Sequence, residues 1–214
     1  MCIRDRFYLG QFFERGQADL TPFFNFHPWL YLFLVPAVSM RLWSEERKSG
    51  SIELLLTLPI QLWETVLAKF LAGWVFTGCA LLGTVPLWLT VSYLGEPDHG
   101  VILSSYLGSW MMAGAFLAIG GCMSALTKSQ IIAFIVTGSV CLLFVLAGFP
   151  LVLNFFNGWV AQWILDTVAG LSVLNHFVAI TRGVVSLEDA LYFASMMARW
   201  LYLTVLALEA KRAE

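Results

Sequence analysis

Long runs without a charged residue alternate with short polar interruptions along this chain. Residues 70–94 hold 25 positions free of Asp, Glu, Lys and Arg, residues 101–126 hold 26, and residues 129–165 hold 37. About 20 consecutive apolar residues carry a helix across a bilayer, so each run is long enough to span. Residues 20–40 add 21 more without those charges. Within them "HPWLYLFLVPAVSM" places Trp29 and Tyr31 where an interfacial belt needs aromatics, and Pro36 is expected to kink the helix. The pattern predicts an all-α polytopic bundle, one domain over residues 1–214, with spans near 20–40, 63–94, 101–126, 129–153 and 190–208. "GEPDHG" reads as a tight acidic turn, "TKSQ" as a short link, and "NFFNGW" as a helix end.

Composition agrees with that picture and removes several functions. Only 12% of residues are charged and 59% are hydrophobic, with mean hydropathy +0.79, whereas soluble domains carry roughly 25% charged residues. A net charge of −2 without a basic, aromatic-laced patch excludes nucleic acid as a partner. Cys79, Cys122 and Cys141 lie inside apolar runs and read as small hydrophobes, with no CxxC pair. No phosphate-binding G-x-x-x-x-G-K-S/T loop occurs, so the chain itself is expected to bind no ATP. His27, His99 and His176 are far apart, and the first two sit at predicted membrane edges, where interfacial histidines are expected. Neither a metal site nor a catalytic triad is legible, so no cofactor and no catalysis are expected of this chain alone.

Orientation follows from Lys and Arg in short flanks. Alternating spans collect Arg41, Arg47, Lys48, Lys69, Lys128, Lys211 and Arg212 on one side, which predicts a cytoplasmic loop at 41–62, a cytoplasmic link and a cytoplasmic C-terminus. Residues 154–189 then face outward, and so do residues 1–26, although these carry Arg4, Arg6 and Arg15. A span missing upstream, with "MCIRDR" as non-native sequence, would remove that conflict; a short translocated tail is the alternative.

The most polar stretch between uncharged runs is "RLWSEERKSGSIELLLTLP". Gly50 as N-cap would place Glu53 at the third helical position, where an acid favours the positive helix end. Ile52, Leu55 and Leu56 would share a face, and Pro59 would stop the helix after about two turns. Such a helix could lie on lipid or seat its apolar face in a groove of a cytoplasmic partner.

"EERKSGSIELLLTLPIQLWETVLAKFLA" resembles the cytoplasmic signature of ABC-2 type transporter permeases, roughly E-x-R/K-x-x-G-S/T-x-E-x-L-x-S/T-x-P followed by a lysine. Glu45, Arg47, Gly50, Ser51, Glu53, Leu55, Thr57, Pro59 and Lys69 occupy its positions. A second stretch, "LSVLNHFVAITRGVVSLEDALYFAS", resembles that family's outer segment and last span. The closest flavour is the gliding-motility GldF-like and NosY-like subgroup. The resemblance implies a six-span permease half in the bacterial inner membrane. It implies pairing with a second permease subunit and drive from a separate ABC ATPase that holds the ATP and Mg. It also implies that the polar stretch contains a coupling helix, with Glu45, Glu46, Arg47 and Glu53 as polar partner contacts and Ile52, Leu55 and Leu56 as apolar ones. His176, Arg182 and Gly183 fall in the outward segment, which the resemblance makes a lid.

Other features keep two readings each. Gly114, Ala118, Gly121 and Ala125 recur on one helix face and suit either close packing within the subunit or a subunit interface. Gly73, Gly78 and Gly83 are spaced by five and argue for bends. Trp159 and Trp163 suit an interfacial half-helix, and Ser186 with Asp189 suits a cap for the last span. Arg199 lies midway along that span, either snorkelling or facing a neighbour, or contributing to a polar path or ion pair. A membrane scaffold or intramembrane enzyme without an ATPase is the rival function; it would need clustered polar residues inside the spans.

Overall fold

Backbone in lipid must satisfy its hydrogen bonds within its own segment or a closed barrel, and this sequence takes the helical solution. A computed structural model describes residues 20–51, 61–95, 97–149, 152 and 170–212, and every regular element among them is an α-helix. In chain order these are α1 (Thr21–Asn25), α2 (His27–Ser39), α3 (Arg41–Ser49), α4 (Leu62–Leu82), α5 (Val85–Leu94), α6 (His99–Leu126), α7 (Gln130–Leu146), α8 (Val173–Ile180) and α9 (Leu187–Arg212).

Three segments are long and apolar enough to cross a membrane: Leu62–Tyr93, His99–Leu126 and Leu187–Ala210. Gln130–Leu146 is apolar but shorter. The other expected span, residues 20–40, is divided at Phe26, so α2 has 13 residues. Pro36 sits inside α2, and α3 follows after a single residue, Met40. The charged residues 41–49, expected as loop, therefore form a helix of their own.

α6 is the centre of the bundle, touching α2, α3, α4, α7, α8 and α9. Its residues are small where neighbours cross. A Cβ on Gly120 would lie 2.0 Å from Ser39 Oγ and 2.4 Å from Ser39 Cβ, so α2 reaches α6 there only because the side chain is absent. Gly108 meets Ile180 of α8 in the same way, at 2.8 Å.

Gly73 and Gly78 do not interrupt α4, which runs unbroken from Leu62 to Leu82. They admit neighbours instead: an added Cβ would stand 3.0 Å from Leu117 and 2.8 Å from Trp110. The helix breaks at Gly83 and Thr84, and Pro86, in the first turn of α5, has no N–H to offer the preceding turn. Trp74 and Trp110 stack at 4.3 Å and 13°. Each indole N–H donates to the other's backbone carbonyl, at 2.9 and 3.2 Å, so both rings cross the α4–α6 seam with their polar atoms satisfied.

Candidate functional site

The polar arm α3 carries three of the expected partner contacts, Glu45, Glu46 and Arg47, and its attachment is specific. Met40 precedes it and has no side chain able to cap a helix. Ser124, at the far end of α6, takes that role from 81 residues away. Its hydroxyl accepts the N–H groups of Trp43 (3.1 Å) and Ser44 (3.0 Å) and donates to the Met40 carbonyl at 3.0 Å. Arg47 returns the favour by donating to the Ala125 carbonyl at 2.8 Å, a positive charge against the C-terminal end of α6. Lys69 of α4 donates to the Leu42 carbonyl at 2.9 Å, pairs with Glu46, and stands 4.0 Å above the Trp43 ring. Beneath these contacts Trp43, 2% exposed, packs with Val66, Ala125 and Leu208. Four helices, α3, α4, α6 and α9, thus meet at one end of the bundle.

This arrangement sorts the expected partner contacts. Glu46 and Arg47 are engaged by their own chain, whereas Glu45 is exposed along with Arg41 and Lys48, three and four residues apart on one face. Gly50 lies in the left-handed region (φ 75°) and closes α3, a geometry glycine adopts without strain. Gly50 thus ends α3 and stands directly before helical Ser51; most of the helix expected to start there lies outside the described residues. Ser51 is helical and exposed. Ile52, Glu53, Leu55, Leu56 and Pro59 lie outside the described residues.

At the other end, His176 is held on both ring nitrogens: Nδ1 is 2.6 Å from Asp189 Oδ1 and Nε2 is 3.1 Å from the Gly170 carbonyl. Its ring stacks on Tyr192 at 4.0 Å, and the Tyr192 hydroxyl donates to the Leu171 carbonyl. Ser186 donates to Asp189 Oδ2 at 2.6 Å and accepts the Asp189 N–H at 3.1 Å, the expected cap of α9. The serine therefore addresses the carboxylate and not the imidazole, so the nucleophile–base contact of a hydrolytic triad is not made. Gly183, φ 93°, turns the chain after α8 where Val101 leaves no room for a Cβ, and Arg182 beside it is exposed. Trp159 and Trp163 lie outside the described residues.

The small-residue strip of α6 divides in use. A Cβ on Gly114 would meet Trp74 at 2.7 Å and Met197 at 2.8 Å, so α4 and α9 both close on it. Ala118 and Ala125 are buried, at 1% and 0% exposure, while Gly121 has no atom within 4 Å of where a Cβ would be. Sequence spacing missed the tighter approach at neighbouring Gly120, which faces α2 and α7. It also missed Ser124, whose long-range capping leaves no local signature. His27, expected at an interface, is 4% exposed among Phe23, Phe24 and Tyr31, with Nδ1 3.4 Å from Ser109 Oγ. His99 accepts from Trp88 at 3.2 Å near the surface. Among the described residues no group of three or more His, Cys, Asp or Glu could hold a metal.

Neither a curated protein nor a solved structure matches the chain. A family model does: the one described as ABC-2 family transporter protein matches residues 24–209, which take in the arm, the central helix and the His176–Asp189 cluster. That match covers most of the 214 residues, and the chain belongs to the ABC-2 transporter family, the membrane components of ABC transporters.

Proposed function

We propose that this chain is the permease subunit of an ATP-driven export system of the bacterial inner membrane, worked by a separate ABC ATPase and paired with a second permease subunit. The observation that carries this reading is the clamp on α3. A helix joined to α6 through Ser124 and Arg47, and to α4 through Lys69, cannot move without moving two membrane-length helices. Its exposed Arg41, Glu45 and Lys48 give an ATPase a charged surface to hold, and the proposed coupling segment, residues 50–59, follows it in the sequence. ATP binding on the partner biases a two-state bundle through this lever. Orientation follows from the same assignment: the α3 end is cytoplasmic and the His176–Asp189 end faces outward as a lid. The gliding-motility subgroup is part of this reading and rests on residues 45–72.

The test is affinity purification in mild detergent with mass spectrometry, followed by coupled assays. A soluble ABC ATPase should co-purify with the wild-type chain. Lys69→Met should leave that complex intact while lowering transport per ATP hydrolysed several-fold, because the arm stays docked but loses its link to α4. Absence of any ATPase, or normal coupling in Lys69→Met, would overturn the assignment.

A further inference from the structure

Mid-way along α9 stands a charge that the described chain does not balance. Arg199 is the thirteenth of 26 residues, which at about 1.5 Å per residue puts it roughly 18–20 Å from either end. That is farther than an arginine side chain extends, so snorkelling to the headgroups does not account for it. Its Nε donates to the Ser195 carbonyl of its own helix, 3.2 Å away. Among the described residues the ion pairs are Lys69 with Glu46 and His176 with Asp189, and no carboxylate pairs with Arg199.

The neighbours on its helix face are hydroxyls interleaved with two exposed leucines, Leu203 and Leu206. At about 100° per residue, Tyr192, Ser195, Arg199 and Tyr202 form one strip, roughly 120° around from the buried Asp189, Phe193, Met196 and Thr204. Ser195, Arg199 and Tyr202 are exposed. The remaining open flank, Leu191, Ala194 and Ala198, is apolar and suits lipid or a packed helix. Beyond the one backbone carbonyl that Nε reaches, a guanidinium at this depth is stabilised by water or a counter-charge. Headgroups of the resident bilayer stay at the interface, so an anion reaching mid-depth is one in passage.

We propose that this strip binds a negatively charged group, phosphate or carboxylate, of the translocated cargo. Arg199 supplies the charge, and Tyr202, one turn on and exposed, supplies a hydroxyl donor; the Ser195 and Tyr192 hydroxyls already donate to backbone carbonyls. The inference rests on the permease reading and assigns a substrate class to it.

The test uses the permease–ATPase complex in phosphatidylcholine vesicles. ATP hydrolysis is measured with lysophosphatidic acid, with neutral monoacylglycerol and with inorganic phosphate, and native mass spectrometry reports direct binding of each. Lysophosphatidic acid should stimulate wild type and Arg199→Lys several-fold over monoacylglycerol, and the ratio should fall to about one in Arg199→Gln. Stimulation by inorganic phosphate as well, lost in the same variant, would support the site and assign a small soluble anion. Equal response to neutral and anionic amphiphile, or an unchanged ratio in Arg199→Gln, would overturn it. So would dissociation of the permease pair in Arg199→Gln without any anion response, which would assign the counter-charge to the second subunit. Should no ATPase accompany the chain, the permease reading fails on its own; binding of lysophosphatidic acid that requires Arg199 would still support the anion site, and its absence would overturn it.

Discussion

Two segments of nearly equal length and hydropathy have opposite surroundings. The α4–α5 segment, Leu62–Tyr93, is as apolar as α6, yet only about a fifth of its most apolar stretch is buried, against more than three-quarters in α6. Transfer from water treats them alike, so hydropathy identifies both as spans and cannot rank them. Side-chain volume separates them. α6 carries Gly108, Gly114, Gly120 and Gly121 with Ala113, Ala115, Ala118 and Ala125, and its neighbours close on it from several directions. Along α4 and α5, Val75, Phe76, Leu82 and Leu89 stand 56–66% exposed. In lipid, where apolar contact alone gives no driving force, close backbone approach decides which helix becomes the centre.

Gly120→Leu should break this contrast most severely. The new side chain would have to displace Ser39, and overpacking of this kind costs about 1–3 kcal/mol or more. Thermal melting in detergent should show a large loss, whereas Gly121→Ala, one residue on and facing open space, should leave the melting temperature nearly unchanged. Equal effects would mean that the α2–α6 approach is not what centres the bundle. Ser124→Ala comes next. It strips the cap from Trp43 and Ser44, worth about 0.5–2 kcal/mol locally. Hydrogen exchange at those two amides should rise while the middle of α6 stays protected. Phe76→Ala should have the smallest effect, within about 0.5 kcal/mol for an uncovered position. A larger loss in the isolated chain would show that this face is covered by the chain itself.

The same contrast explains how far sequence reading reached. Charge-free runs located the helices because desolvation acts on every residue of a span, and residues 101–126 coincide closely with α6. The Ser186–Asp189 cap was legible because both partners lie within one turn. Local spacing pointed to Gly114 but passed over Gly120, since which face of α6 is crowded depends on where α2 lands. Gly50 was read only as a beginning; that it also ends α3 was not legible, because the sign of its φ is set by the helix before it. Glu46 and Arg47 lie in a charged run whose inward half is fixed only by Lys69 and the Ala125 carbonyl, both remote in the chain. The Trp74–Trp110 pair was invisible for the same reason.

Capping of α3 by Ser124 also has a consequence for biosynthesis. The arm leaves the ribosome about 80 residues before the hydroxyl that completes it. At about 5–20 residues per second, that leaves a delay of roughly 4–16 s. During that interval the nascent arm lacks its anchor on α6. The cap on α3 is completed only after the central helix has been made, so a product that stops short of Ser124 lacks it.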